Sequence, residues 1–266
     1  MRVLVVNDAT RASTVAASMI ARRLQEVPTS VVGVATGSTP LGVYRALAVL
    51  RSRGLDTTRA RFVALDEYVG LYRNHPQSYR QFLLEHVIEP FGADPANLVV
   101  PAGWRDDPVA AADDFEASIR SLGGVDLQVL GIGRNGHIGF NEPTSSLTSR
   151  TRLKTLSAVT RRDNARFFGS VDDVPVHCLT QGLGTIGDAR EIVLVALGAA
   201  KSAAVAAAVE GPVSAFCPAS SLQFHPNTTI IVDTDAASRL TLIDYYRFVE
   251  EQDHWEDSAL ASELPR

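Results

Sequence analysis

Short runs of β-branched and other apolar residues alternate with stretches of helical periodicity along most of this chain. That alternation limits the fold more than any other feature. "RVLVVN" (2–7), "SVVGVAT" (30–36), "RFVALDE" (61–67), "NLVV" (97–100), "VDLQVLGIG" (125–133), "EIVLVAL" (191–197) and "TTIIVD" (228–233) read as strands. Several are apolar almost throughout, as strands covered on both faces are. Between them, Ala16, Ile20 and Leu24 recur every four residues, so they share one face of a helix. The stretches around 107–122 and 200–210 also read as helices. This order predicts an α/β fold: a modified Rossmann-like, doubly wound and mostly parallel sheet with helices on both faces. One domain over 1–266 is expected, with a C-terminal tail from about 245 that is partly disordered after 250. The rhythm breaks between about 134 and 188, and ligands of such sheets bind at the carboxyl ends of the strands. The site is expected there.

Bulk properties exclude several function classes. With 25 Lys and Arg against 30 Asp and Glu, the net charge is −5. That disfavours nucleic acid and anionic membrane as partners. The two cysteines, Cys178 and Cys217, are far apart, which rules out a disulfide scaffold and fits a reducing cytosol. The most membrane-like stretch, 192–209, is interrupted by Gly198 and Lys201 and reads as strand, turn and helix. The histidines show no metal-ligand spacing.

"GIGRNGHIGFNEP" (131–143) matches the glycine spacing of a dinucleotide fingerprint. A dinucleotide site needs a helix to begin at the third glycine. Gly136 is instead followed by "HIGFNEP", where no useful helix fits. The glycines are expected to let backbone pass close to a ligand while His137 projects from the bend. Asn135 and Glu142 flank it, making a general acid/base group tunable near neutrality.

Further constellations stand near the other strand ends. In "TGSTPLGVY" (36–44), Thr39 reads as a helix N-cap and Pro40 as the first helical residue. The N–H groups of Gly37, Ser38 and Thr39 would then face an anion. "ALDEYVGL" (64–71) ends a strand with Asp66 and Glu67, which point to opposite faces. In "SSLTSRTRLKTL" (145–156), Arg150, Arg152 and Lys154 would form a basic ladder along one strand face. Arg166 and Lys201 are further cations, Lys201 at the opening of a helix.

Together these stretches, with "HPQSYRQFL", "ARFFGS" and "SSLQFHPNTTIIVD", resemble the glucosamine-6-phosphate deaminase family from the first strand to about residue 235. The resemblance implies a fold shared with phosphogluconolactonases. It implies conversion of glucosamine 6-phosphate and water to fructose 6-phosphate and ammonia, with no cofactor and no metal. It assigns catalysis to Asp66, Asn135, His137 and Glu142, and phosphate binding to Gly37, Ser38, Thr39, Arg166 and Lys201. Ser145, Ser146, Arg152, Lys154 and Thr155 match the segment that binds N-acetylglucosamine 6-phosphate as an allosteric activator between subunits. A cytoplasmic homo-oligomer, a hexamer, is therefore expected. Two departures stand out: some members have Asp where this chain has Asn135, and regulated members have a tyrosine where it has Arg247. The competing readings are a 6-phosphogluconolactonase-like hydrolase, which needs a histidine but no base at C2, and a sugar-phosphate-sensing regulator. The regulator would carry a DNA-binding segment ahead of the first strand.

Overall fold

The computed structural model describes residues 1–252. Seven strands form a parallel sheet in the order β1-β10-β9-β6-β2-β3-β5. They are β1 (Arg2–Val6), β2 (Val31–Val34), β3 (Arg61–Ala64), β5 (Leu98–Val99), β6 (Leu127–Leu130), β9 (Glu191–Ala196) and β10 (Thr228–Asp233). Side chains alternate between faces with period two, and the two cores show it. Ile192 and Leu194 enter one apolar cluster, Val193 and Val195 the other. Helices α1 (Ala9–Glu26), α2 (Ser38–Ser52) and the short α4 (Glu89–Phe91) cover one face. Helices α5 (Pro108–Ser121), α7 (Leu183–Gly187) and α8 (Ser202–Val209) cover the other. The doubly wound expectation holds.

The chain winds outward from β2 through β3 to β5. It then returns to β6 and winds the opposite way through β9 to β10. The switch point therefore lies between β2 and β6, and the loops that follow these two strands flank the crevice where such sheets bind ligands.

Four features depart from expectation. The predicted strand 61–67 breaks at Leu65: β3 stays in the parallel sheet, while β4 (Asp66–Tyr68) joins a second, antiparallel sheet. Leu65 donates to the carbonyl of Val34 on one side and accepts from the N–H of Gln181 on the other, which marks the handover. The second sheet runs β4-β8-β7, with β7 (Arg152–Thr155) and β8 (His177–Thr180). Helix α2 starts at Ser38 with Gly37 as its N-cap, not at Pro40 with Thr39 capping. Gly37 has φ +103°, a conformation that favours glycine, and this starts the helix early. Finally, α9 (Ile243–Gln252) makes the start of the expected tail helical. The disorder expected beyond it falls on 253–266, outside the described residues. Helices α3 (Tyr79–Leu83) and α6 (Ala158–Phe168) complete the set and border the crevice.

Candidate active site

A cavity of about 510 Å³ opens at the switch point. Its walls include the 36–39 turn, Asp66, Tyr79, His137, Arg166 and Lys201. Gly37, Ser38, Thr39, Asp66, His137, Arg166 and Lys201 thus converge on it from five separate stretches of chain, with Asn135 and Glu142 linked in behind His137.

His137 stands on the loop after β6. A Cβ built on Gly133 would lie 2.2 Å from the His137 Cε1. The second glycine of the apparent fingerprint therefore makes room for an imidazole, not for a pyrophosphate. Asn135 Oδ1 lies 2.7 Å from His137 Nδ1, and Asn135 Nδ2 donates to Glu142 Oε2 at 2.7 Å. An amide oxygen only accepts, so His137 carries its proton on Nδ1 and leaves Nε2 free to accept. Glu142 is held from behind: its Oε1 accepts from Ser157 Oγ at 3.1 Å and from Thr160 Oγ1. Burial alone would raise the pKa of Glu142, but the bonds from Thr160, Asn135 and Ser157, with the nearby imidazole, outweigh it and lower it. The pKa of His137 is lowered, chiefly by burial. Glu142 and Asp163 oppose that shift, and Lys201 adds to it.

Asp66 lies just past the end of β3, as the first residue of β4. Its alternation with Glu67 matches the expectation. Asp66 lines the cavity and, among the described residues, makes no side-chain hydrogen bond. Burial, and then the charge of Glu67, push its pKa well above the ordinary carboxylate range. Glu67 faces the other way. Its Oε1 accepts from the N–H groups of Tyr68 and Tyr79, both at 2.9 Å, and its Oε2 from that of Arg80 at 2.8 Å. Burial lifts its pKa to about 7 against these bonds. Glu67 thereby ties the start of α3, and with it cavity-lining Tyr79, to the strand that carries Asp66. The Asp66 strand is also tied to the His137 loop: Phe140 N–H donates to Thr180 Oγ1 at 3.0 Å, and Thr180 is the register partner of Asp66.

Also lining the cavity, Ser38 and Thr39 occupy the first turn of the fifteen-residue helix α2, where N–H groups lack helical partners. Lys201 N-caps α8 and donates from Nζ to the carbonyl of Ile132 at 2.6 Å. Arg166 sits on α6, its guanidinium 4.7 Å from the ring centroid of Phe167. No group of three or more His, Cys, Asp or Glu side chains able to hold a metal occurs among the described residues.

The expected effector residues are less gathered. Ser145 is buried with its Oγ unpartnered. Arg152 Nη1 donates to Asn141 Oδ1 at 3.0 Å, while its buried Nη2 has no partner. Lys154 shares the face of Arg152, whereas Thr155 points to the opposite, exposed face, 3.3 Å from His177 Nδ1. Ser146 is exposed and lies 3.2 Å from Thr148 Oγ1. Arg150 leaves the predicted ladder: it precedes β7 and pairs with Glu116 at 2.8 Å and Asp188 at 2.5 Å. Arg247 lies on α9.

Sequence reasoning named Glu67 without its tethering role and missed Ser157, Thr160 and Arg134. Ser157 had a readable signal, since it caps α6 through Thr160 N–H. Arg134 stood inside the quoted motif, but a single arginine is a surface charge by default.

Residues 7–231 match the sequence model of a family described as glucosamine-6-phosphate isomerases/6-phosphogluconolactonase. A glucosamine-6-phosphate deaminase of Streptomyces coelicolor is 54% identical over 249 residues, spanning 93% of this chain and 95% of that protein. One from Cutibacterium acnes is 53% identical over 253 residues, 95% and 97% of the two chains. Among solved structures, a monomeric glucosamine-6-phosphate deaminase matches with a TM-score of 0.87 and 40% identity, over 90% of this chain and 99% of that one. A 6-phosphogluconolactonase of Trypanosoma cruzi, at 19% identity, shares the fold with a TM-score of 0.74 over 90% and 97% of the chains.

Proposed function

The chain belongs to the glucosamine-6-phosphate isomerase/6-phosphogluconolactonase family, and from that premise we propose that it is the deaminase: it converts glucosamine 6-phosphate and water to fructose 6-phosphate and ammonia. The observation that carries this choice within the family is Asp66, a cavity-facing carboxyl with no hydrogen-bond partner and a raised proton affinity. Lactone hydrolysis leaves such a group without a task. Abstraction of a proton α to a carbonyl needs one.

The steps follow from the two proton-transfer groups. His137 accepts the C1 hydroxyl proton at Nε2 and delivers it to the ring oxygen, which opens the sugar to its aldehyde. Asn135 and Glu142 hold the imidazole in the required tautomer. Asp66 then removes the C2 proton, the C1 oxygen gains a proton, and an enolamine forms. Asp66 returns its proton to C1, leaving an iminium at C2. Water adds there, and the C–N bond breaks to give the ketone and ammonia. Gly37, Ser38, Thr39, Arg166 and Lys201 hold the 6-phosphate, whose remote binding energy steadies the linear intermediate.

The reading extends to regulation. The chain assembles as a homohexamer in the cytoplasm, and N-acetylglucosamine 6-phosphate activates it through Ser145, Ser146, Arg152, Lys154 and Thr155. The unpartnered Ser145 Oγ and Arg152 Nη2 support a polar ligand at that segment.

Ammonia release from glucosamine 6-phosphate without added metal tests the activity. Asp66→Asn is expected to bind fructose 6-phosphate, and to exchange neither the C2 proton of glucosamine 6-phosphate nor a C1 proton of fructose 6-phosphate with solvent. Absence of ammonia from the unaltered protein, with hydrolysis of 6-phosphogluconolactone in its place, would overturn the reading. Deuterium entering the sugar at near-normal rate in Asp66→Asn would remove Asp66 from its role.

A further inference from the structure

Arg134 lines the cavity and, among the described residues, makes no hydrogen bond or ion pair. Other arginines of this chain have carboxylate partners, as Arg105 has Asp114, Arg150 has Glu116 and Arg190 has Asp126. Arg134 is placed instead among cations. It stands two residues after Ile132, whose carbonyl holds the Lys201 ammonium at 2.6 Å. One loop thus fixes the direction of Lys201 and presents Arg134 beside it.

Resting on the deaminase reading, we propose that Arg134 is a further substrate-binding residue, a guanidinium that closes on the 6-phosphate already held by Lys201 and the amino end of α2. The charges match. Arg134, Arg166 and Lys201 supply three positive charges, and Asp163 is the carboxylate whose field reaches Lys201. A phosphate monoester carries about −1.5 to −2 near pH 7. Without the anion, the three cations repel one another. The pKa of Lys201 is lowered first by burial and then by Arg134, with Asp163 opposing and Arg166 adding to the effect. Binding of a phosphate relieves the repulsion. Arginine suits the task because its planar fork meets two phosphate oxygens at once, and an exposed rim position lets it swing in after the ligand enters.

The test uses Arg134→Gln and Arg134→Lys, with Arg59→Gln as a control that removes the same charge from the turn before β3, at the amino ends of the parallel strands, away from the loops that follow them. Calorimetry with fructose 6-phosphate and with inorganic phosphate reads binding without needing turnover. Arg134→Gln is expected to weaken both by about tenfold, as loss of a charge-assisted bond does. It should raise KM for glucosamine 6-phosphate by a similar factor while leaving kcat within about twofold. Arg134→Lys should fall between, and Arg59→Gln should match the unaltered protein. Unchanged binding in Arg134→Gln, or equal weakening in Arg59→Gln, overturns the proposal. A chain that binds fructose 6-phosphate in an Arg134-dependent way but releases no ammonia would leave this site standing and remove the deaminase reading.

Discussion

At the residue scale, the choice of Asn135 sets the proton affinity of His137. An amide on Nδ1 fixes the tautomer without adding a charge, so burial dominates and the imidazole titrates below its ordinary value of about 6.5. His137 is then neutral, and able to accept a proton, at every pH above that lowered value. Asn135→Asp would place an anion against Nδ1 and raise the pKa by roughly 1–3 units. The acid limb of kcat/KM should move to higher pH with it. Proton NMR of the imidazole in both proteins measures the shift; coincident titrations would mean that Asn135 does not govern His137. The grouping of Asp66 and His137 at one cavity, with Glu142 behind the histidine, was legible in the sequence because these residues sit in compact motifs. The tethering by Glu67 and the parts of Thr160 and Arg134 were not, because what defines these residues is the atom they meet, or fail to meet, after folding.

At the element scale, the small β4-β8-β7 sheet was legible only in part: β7 read as a strand, β4 was merged into the strand before it, and β8 was not read. Its strands are three or four residues long and carry too few alternations to show a period. The parallel strands were legible because burial on both faces makes them continuously apolar. Glu116 on α5 anchors the start of β7. It accepts from Thr151 N–H at 2.9 Å, from the hydroxyls of Thr151 and Thr185, and from Arg150. Burial would raise its pKa, but these bonds prevail and lower it from 4.5 to about 2. A depressed carboxylate contributes stability above its unfolded pKa and loses it as pH falls through its folded one. The contribution is therefore complete above about pH 4.5 and fades toward pH 2. Glu116→Gln is expected to cost about 2–3 kcal/mol at neutral pH and to flatten the acid dependence across that window. Thermal melts between pH 2 and 7 check both, and an unchanged Tm at pH 7 would show that the network contributes nothing net.

At the scale of the whole molecule, the proposed hexamer and its effector make two measurable demands. A solved relative is described as monomeric. This chain leaves Phe216, Phe224 and Phe248 more than half exposed. Sedimentation equilibrium should give a hexamer. Initial rates should rise sigmoidally with substrate and become hyperbolic with N-acetylglucosamine 6-phosphate, half-saturation falling by about five- to 150-fold for a coupling of about 1–3 kcal/mol. A monomer with superimposable curves would sink the regulatory reading and leave the chemistry intact.

Thr180 in β8 is the register partner of Asp66 in β4 and of Arg152 in β7. One residue thus stands between the proposed C2 base and the proposed effector arginine, with neighbouring strands about 4.8 Å apart on either side. This gives the small sheet a consequence for descent. A mutation that reshapes one outer strand is expected to be felt in the other through Thr180. Variants of the two edges are then expected to be selected jointly, and a lineage that loses the proposed effector site would keep β7 under constraint for as long as it keeps the proposed reaction.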